Sequence, residues 1–157
     1  MTIPDARVVS EADARAALAR RLRSARIHNI IDQTGEAPGE IAIYALSDPR
    51  EISAARYVGQ TRSPAARFMQ HINTARLWLP DEVPWWIKRP ELRPLYTWIR
   101  ALHADGGRLP VMFVVGWTTS FLARSDERRF IAAYLKEGLP LLNFEAGTRS
   151  RLFRHLR

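Results

Sequence analysis

The apolar residues of this chain fall in runs no longer than a β-strand: 41–46 (IAIYAL), 55–59 (ARYVG) and 111–117 (VMFVVGW). None approaches the ~20 residues needed to cross a bilayer, so a membrane partner is not expected. The first two runs are joined by a polar, proline-containing connection, SDPREIS at 47–53, which suggests an antiparallel hairpin. Helical patterns fill most of the remainder. Ser10 opens one, with Asp13 three residues on as a possible capping box and good helix formers from Ala12 to Arg26. Ser63-Pro64 starts a second helix, whose buried stripe reads Ala65, Phe68, Ile72 and Ala75, with Arg67 and His71 beside it. Leu95 to Ala104 is a third, ended by Gly106-Gly107. A fourth is expected from a Ser120 cap to Glu137, closed by Gly138. A Trp- and Pro-rich connection, LWLPDEVPWWIKRPELRP, carries Trp78, Trp85 and Trp86, read as packing that holds it onto the domain.

The order helix, strand, strand, helix, helix, strand, helix predicts an α+β domain. A length of 157 residues suits one core. The expected organisation is an N-terminal helical extension over 1–38, a core domain over 39–147 and a basic tail over 148–157. Cysteine is absent, which excludes disulfides, a thiol nucleophile and cysteine-based zinc sites. The N-terminus carries acids early and no apolar stretch of signal-peptide type, so a cytoplasmic location is expected.

Charge points to the partner. The net charge is +8, with residues 1–40 neutral and the excess divided between 41–119 and 120–157. The last nine residues, RSRLFRHLR, hold four arginines and no acid. Arginine greatly outnumbers lysine and suits bidentate phosphate contact, so a nucleic acid is the natural polyanion. Arg62, Arg149, Arg151 and Arg154 are the candidate nucleic-acid contacts.

Several residues could carry chemistry. Tyr44 and Tyr57 lie on the first two strands, and pairing of those strands would let both phenols reach one side of the sheet. Arg67 and His71 are i and i+4 neighbours on a helix, and the nearby cation should keep the imidazole neutral. Glu127 lies three and four residues before Phe130 and Ile131, on the inner stripe of the last helix, where a carboxylate needs a metal ion, an arginine or an outlet to solvent. Asn143 follows LPLL and reads in isolation as a turn residue.

Taken jointly, IAIYAL, RYVGQT, Arg67 ten residues after Tyr57, then His71, Glu127 ahead of FIAAYL, and LLN at 141–143 resemble the GIY-YIG nuclease family over about residues 40–147. Ala42 stands where that family's first motif usually has Gly, Tyr57-Val58-Gly59 matches the second motif with Val for Ile, and the gap from Tyr44 to Tyr57 is slightly long. The resemblance implies a small three-stranded antiparallel sheet flanked by helices, with the N-terminal helix as an addition. It also implies hydrolysis of DNA phosphodiester bonds, with Tyr44, Tyr57, Arg67, His71, Glu127 and Asn143 as site residues. Glu127 would be the ligand of one Mg²⁺, for which Mn²⁺ should substitute. Tyr44 is favoured as base and Tyr57 as the orienting hydroxyl. The competing expectations are a catalytically silent DNA-binding module on the same fold and a protein-interaction domain using the tryptophans. A palindromic target would require a dimer or sequential nicking.

Overall fold

The computed structural model describes residues 10–81 and 83–143, so the tail arginines Arg149, Arg151 and Arg154 lie outside the described residues. The first helix, α1 (Glu11–His28), is capped as its sequence suggests. The Ser10 hydroxyl accepts from the Asp13 amide at 3.1 Å, acids occupy the first turn, and Arg26 and His28 occupy the last. Leu18, Leu22 and Ala25, spaced i, i+4, i+7, form its buried stripe.

Four strands follow: β1 (Ile30–Asp32), β2 (Ile41–Ser47), β3 (Ala55–Thr61) and β4 (Val111–Thr118). They form one sheet in the order β1-β4-β2-β3. The expected antiparallel hairpin is present, with Tyr44 opposite Gly59 and Leu46 opposite Tyr57. β2 also pairs antiparallel with β4. The expected three-stranded antiparallel sheet is corrected by β1, which pairs parallel with β4 and makes the sheet four-stranded and mixed. β1 has three residues, too few to show alternation, and its pairing spans some eighty positions. It is anchored instead by neighbours: the Asn29 carbonyl accepts from the Met112 amide at 2.7 Å, and the Trp117 indole donates to Asp32 at 2.9 Å.

β2 is central and buried along its whole length, so its alternate residues feed two separate cores. Tyr44 and Leu46 face a core built with Leu18 and Leu22 of α1, Phe68 and Ile72 of α2 (Pro64–Thr74), and Leu95 and Ile99 of α3 (Arg93–Ala104). Ile43 and Ala45 face the other way, toward Val58 of β3 and Ile131 of α4 (Ala123–Lys136). The fold is therefore α+β, with helices on both faces. Residues 10–38 are not set apart: α1 fills the larger core and β1 extends the sheet.

One end of α4 differs from expectation in an instructive way. Ser120 does not cap α4. Its amide donates to Glu40 at 3.3 Å, residues 119–122 form a turn, and the helix begins at Ala123 without a side-chain cap. A serine ahead of a helical pattern is equally at home in a turn. The other end is as expected. Gly138, at φ +81°, lets its own amide reach the Leu135 carbonyl and the Leu139 amide reach that of Tyr134, which satisfies two terminal carbonyls.

The tryptophan-rich connection is held down by a half-buried arginine. Arg100 donates to the carbonyls of Ala75, Arg76, Leu79 and Asp81, and its guanidinium lies 5.0 Å from the Trp86 ring centre. The Trp86 indole donates to the Thr74 carbonyl at 2.6 Å, and Trp78 packs on the larger core. Trp85, in contrast, is 59% exposed.

Candidate active site

Pairing of β2 with β3 puts Tyr44 and Tyr57 on the same face, with ring centres 6.3 Å apart. The Tyr44 ring lies over Gly59. A Cβ there would come within 2.4 Å of the Tyr44 hydroxyl, so the glycine of the Tyr57-Val58-Gly59 triplet is the clearance the phenol needs.

His71 enters this site from α2. Its Nε2 lies 2.7 Å from the Tyr44 hydroxyl, and its ring centre is 5.7 Å from that of Tyr57. It does not sit beside the buried stripe, as its helical position suggested, but inside it, at 4% exposure next to Ile72. Phe68, His71, Ile72 and Ala75 form the stripe, while Ala65 is only half-buried. A polar side chain is tolerated there because both ring nitrogens are satisfied: Nδ1 lies 3.2 Å from the hydroxyl of Tyr96 on α3.

Burial governs the electrostatics. It is the main cause that pushes the His71 pKa down to about 4, with Arg67 adding to it, so the imidazole is neutral as expected but chiefly through desolvation. Burial also drives the Tyr44 phenol well above its ordinary range, with Tyr57 contributing and Arg67 opposing. Tyr57 is pushed up to about 12, first by burial and then by Glu127, again against Arg67. Both phenols are firmly protonated at neutral pH.

Arg67 and Glu127 thus act on the same two phenols, although they come from helices on opposite faces of the sheet. Arg67 is half-buried and donates to Gln70 at 2.9 Å. It also lines an open cleft of about 610 Å³ with Gln60, Thr61, Arg62, Ser63 and Ser120. Arg62 is largely exposed at this cleft and pairs with Glu40 at 3.5 Å. Glu127 is half-buried, like its stripe neighbours Phe130 and Tyr134.

Asn143 engages the backbone of β3. Its Oδ1 accepts from the Val58 amide at 2.8 Å and its Nδ2 donates to the Val58 carbonyl at 2.7 Å. The side chain substitutes for a neighbouring strand along the free edge of β3, and so fixes the segment that carries Tyr57 and Gly59. Sequence reasoning missed Tyr96. Its place beside Leu95 and three before Ile99 marked it as inward-facing, and a buried tyrosine hydroxyl needs a partner.

Among the described residues no group of three or more His, Asp or Glu side chains could enclose a metal ion. The donor chemistry at this site is one carboxylate, Glu127. That fits Mg²⁺, which keeps several waters and takes one or two carboxylates plus substrate phosphate in place of a full protein cage.

The neutral His71 has a consequence for stability. The unfolded imidazole protonates near its ordinary 6.5, whereas the folded one resists until about 4. The contribution is therefore complete above pH 6.5 and is lost as pH falls toward 4, a total of about 3 kcal/mol. Urea denaturation at pH 7, 5.5 and 4.5 should show this loss in the wild type and a shallower one in His71→Gln. Equal slopes would contradict the buried, neutral histidine.

Comparison of the chain with models of protein families, with curated proteins and with solved structures finds no match.

Proposed function

We propose that the protein is a metal-dependent endonuclease that hydrolyses DNA phosphodiester bonds, as its resemblance to the GIY-YIG family implies. The observation that carries this reading is the convergence of Tyr44, Tyr57 and His71 on one face of the sheet, with both phenols within the electrostatic reach of Arg67 and Glu127. These residues come from four different elements spread over more than eighty positions.

Hydrolysis forms a bond from water oxygen to phosphorus and breaks the bond to the leaving oxygen. The water must lose a proton. A phenol with a raised pKa is a poor stand-alone base, but Tyr44 need not become a phenolate. Its hydroxyl hydrogen bonds to His71 Nε2, so Tyr44 takes the water proton as its own passes to the imidazole. His71 is the terminal acceptor. A phosphate anion bound nearby raises its basicity above the value of about 4 that it has without one. Tyr57 orients the water. Arg67 meets a non-bridging phosphate oxygen with its fork of donors and opposes the charge that develops there. Glu127 supplies a hard anionic ligand for Mg²⁺, which when bound neutralises phosphate charge and stabilises the leaving oxygen. Asn143 holds β3 in place.

The cleft at Arg67, with Arg62 and polar side chains around it, suits a phosphate backbone, and the basic tail adds charge for longer-range attraction. Those features would also serve a DNA-binding module without activity, so the test must read cleavage. Incubation with supercoiled plasmid should produce nicked circles in Mg²⁺, none in excess EDTA, and nicks again when Mg²⁺ or Mn²⁺ is restored. Undiminished cleavage in EDTA would remove the metal from the mechanism. DNA binding without cleavage under any divalent ion would favour the silent module.

A further inference from the structure

Tyr96 is a buried phenol that the mechanism above leaves unused. It is 6% exposed, it approaches His71 from the side opposite Tyr44, and the Thr74 side chain is a further hydrogen-bond partner. His71 therefore sits between two hydroxyls, and a neutral imidazole has only one N–H to offer them. One nitrogen must donate and the other must accept.

The two distances differ in an informative way. Hydroxyl donors to oxygen span about 2.5–3.0 Å, most often 2.7–2.8 Å, whereas N–H donors span about 2.7–3.2 Å. The 3.2 Å contact from Nδ1 to Tyr96 lies beyond the hydroxyl-donor range and within the N–H···O range, and the 2.7 Å contact from Tyr44 to Nε2 sits at the usual hydroxyl-donor length. We infer that Tyr96 is a positioning residue: its oxygen accepts from Nδ1–H, which fixes the tautomer of His71 and keeps Nε2 bare toward Tyr44. In the other tautomer Nε2 would carry hydrogen and could take no proton from Tyr44. The functional part of this inference rests on the hydrolytic reading proposed above; the tautomer itself does not. Tyr96 does not touch the reacting atoms and acts only through His71.

The test uses the full chain labelled with ¹⁵N-histidine. Long-range ¹H–¹⁵N spectra separate a protonated from a bare ring nitrogen, and the His71 signals are identified as those missing from His71→Gln. In the wild type at pH 7, Nδ1 should be the protonated nitrogen and Nε2 the bare one. In Tyr96→Phe the Nδ1–H loses its acceptor, and the spectrum should move toward the Nε2–H form. The same variant should cleave plasmid with kcat lowered roughly tenfold or more, part of the 10²–10⁴ that proton transfer contributes, with KM for DNA unchanged. A wild-type spectrum with hydrogen on Nε2 overturns the inference without any variant having to fold. So does an unchanged tautomer in a folded Tyr96→Phe. If the tautomer is as expected but the wild type never cleaves, the positioning by Tyr96 stands and the hydrolytic reading fails.

Discussion

Replacing Arg67 by alanine is expected to lower kcat for DNA nicking by at least ~100-fold, the scale for losing one donor that stabilises developing charge. Arg67 lines the open cleft and is felt by both phenols and by His71, so it stands where a bound phosphate would meet the tyrosine–histidine cluster. Its loss removes the opposing positive charge from the field around Tyr44 and Tyr57, whose pKa values are already high. Arg67→Lys should rescue little. A lysine restores the charge but not the planar fork that meets two oxygens at once. Steady-state nicking by the two variants checks this, alongside their melting temperatures, which should stay close to wild type because the side chain reaches the surface. A lysine variant with near wild-type turnover would reduce Arg67 to a phosphate anchor.

The second large effect is expected at Glu127. Glu127→Gln should abolish cleavage while fold and DNA binding remain nearly intact, since the amide is close to isosteric but a weak ligand for a hard cation. A purely structural carboxylate makes the opposite forecast. Removing one partner of a half-buried ion pair leaves the other charge uncompensated, and a melting curve would show the lost stability. Measuring melting, DNA affinity and nicking on this one variant separates the two. A stable Glu127→Gln that nicks at the wild-type rate would take Glu127 out of the site.

What the sequence disclosed about this fold followed the range of the interactions involved. The β2–β3 hairpin was legible because two alternating runs are separated by a short polar connection, and its pairing alone places Tyr44 and Tyr57 on one face. The Ser10 cap of α1 and the Gly138 stop of α4 were legible because each depends on residues within one helical turn. β1 was not legible: three residues carry no pattern, and the strand exists because β4 offers it a parallel edge. The parallel pairing and the role of residues 10–38 in the main core are products of tertiary contact.

The site shows the same division. Identity and order of Tyr44, Tyr57, Arg67, His71 and Glu127 were readable, but not their environment. Helical spacing set His71 at the edge of the buried stripe; Tyr44 on β2 and Tyr96, arriving from α3, together explain how an imidazole can lie inside it. Asn143 read as a turn residue, and its grip on the Val58 backbone depends on β3 being a sheet edge. Gly59 carried a motif in the sequence; its physical reason, the Tyr44 ring passing within contact distance, emerged only from the strand register.

The most direct test of the proposed hydrolytic function compares plasmid nicking by wild type and Tyr44→Phe, purified in parallel and assayed in Mg²⁺ at equal DNA saturation. The substitution removes one oxygen from a buried ring and leaves its packing in place, so a contaminating nuclease would be indifferent to it. It also removes the hydroxyl that hydrogen bonds to His71, through which the proposed mechanism passes the water proton. The expected result is time-dependent nicking by the wild type and a rate at least ~100-fold lower in Tyr44→Phe, with unchanged DNA affinity. Equal nicking by the two proteins, or none by either, would contradict it.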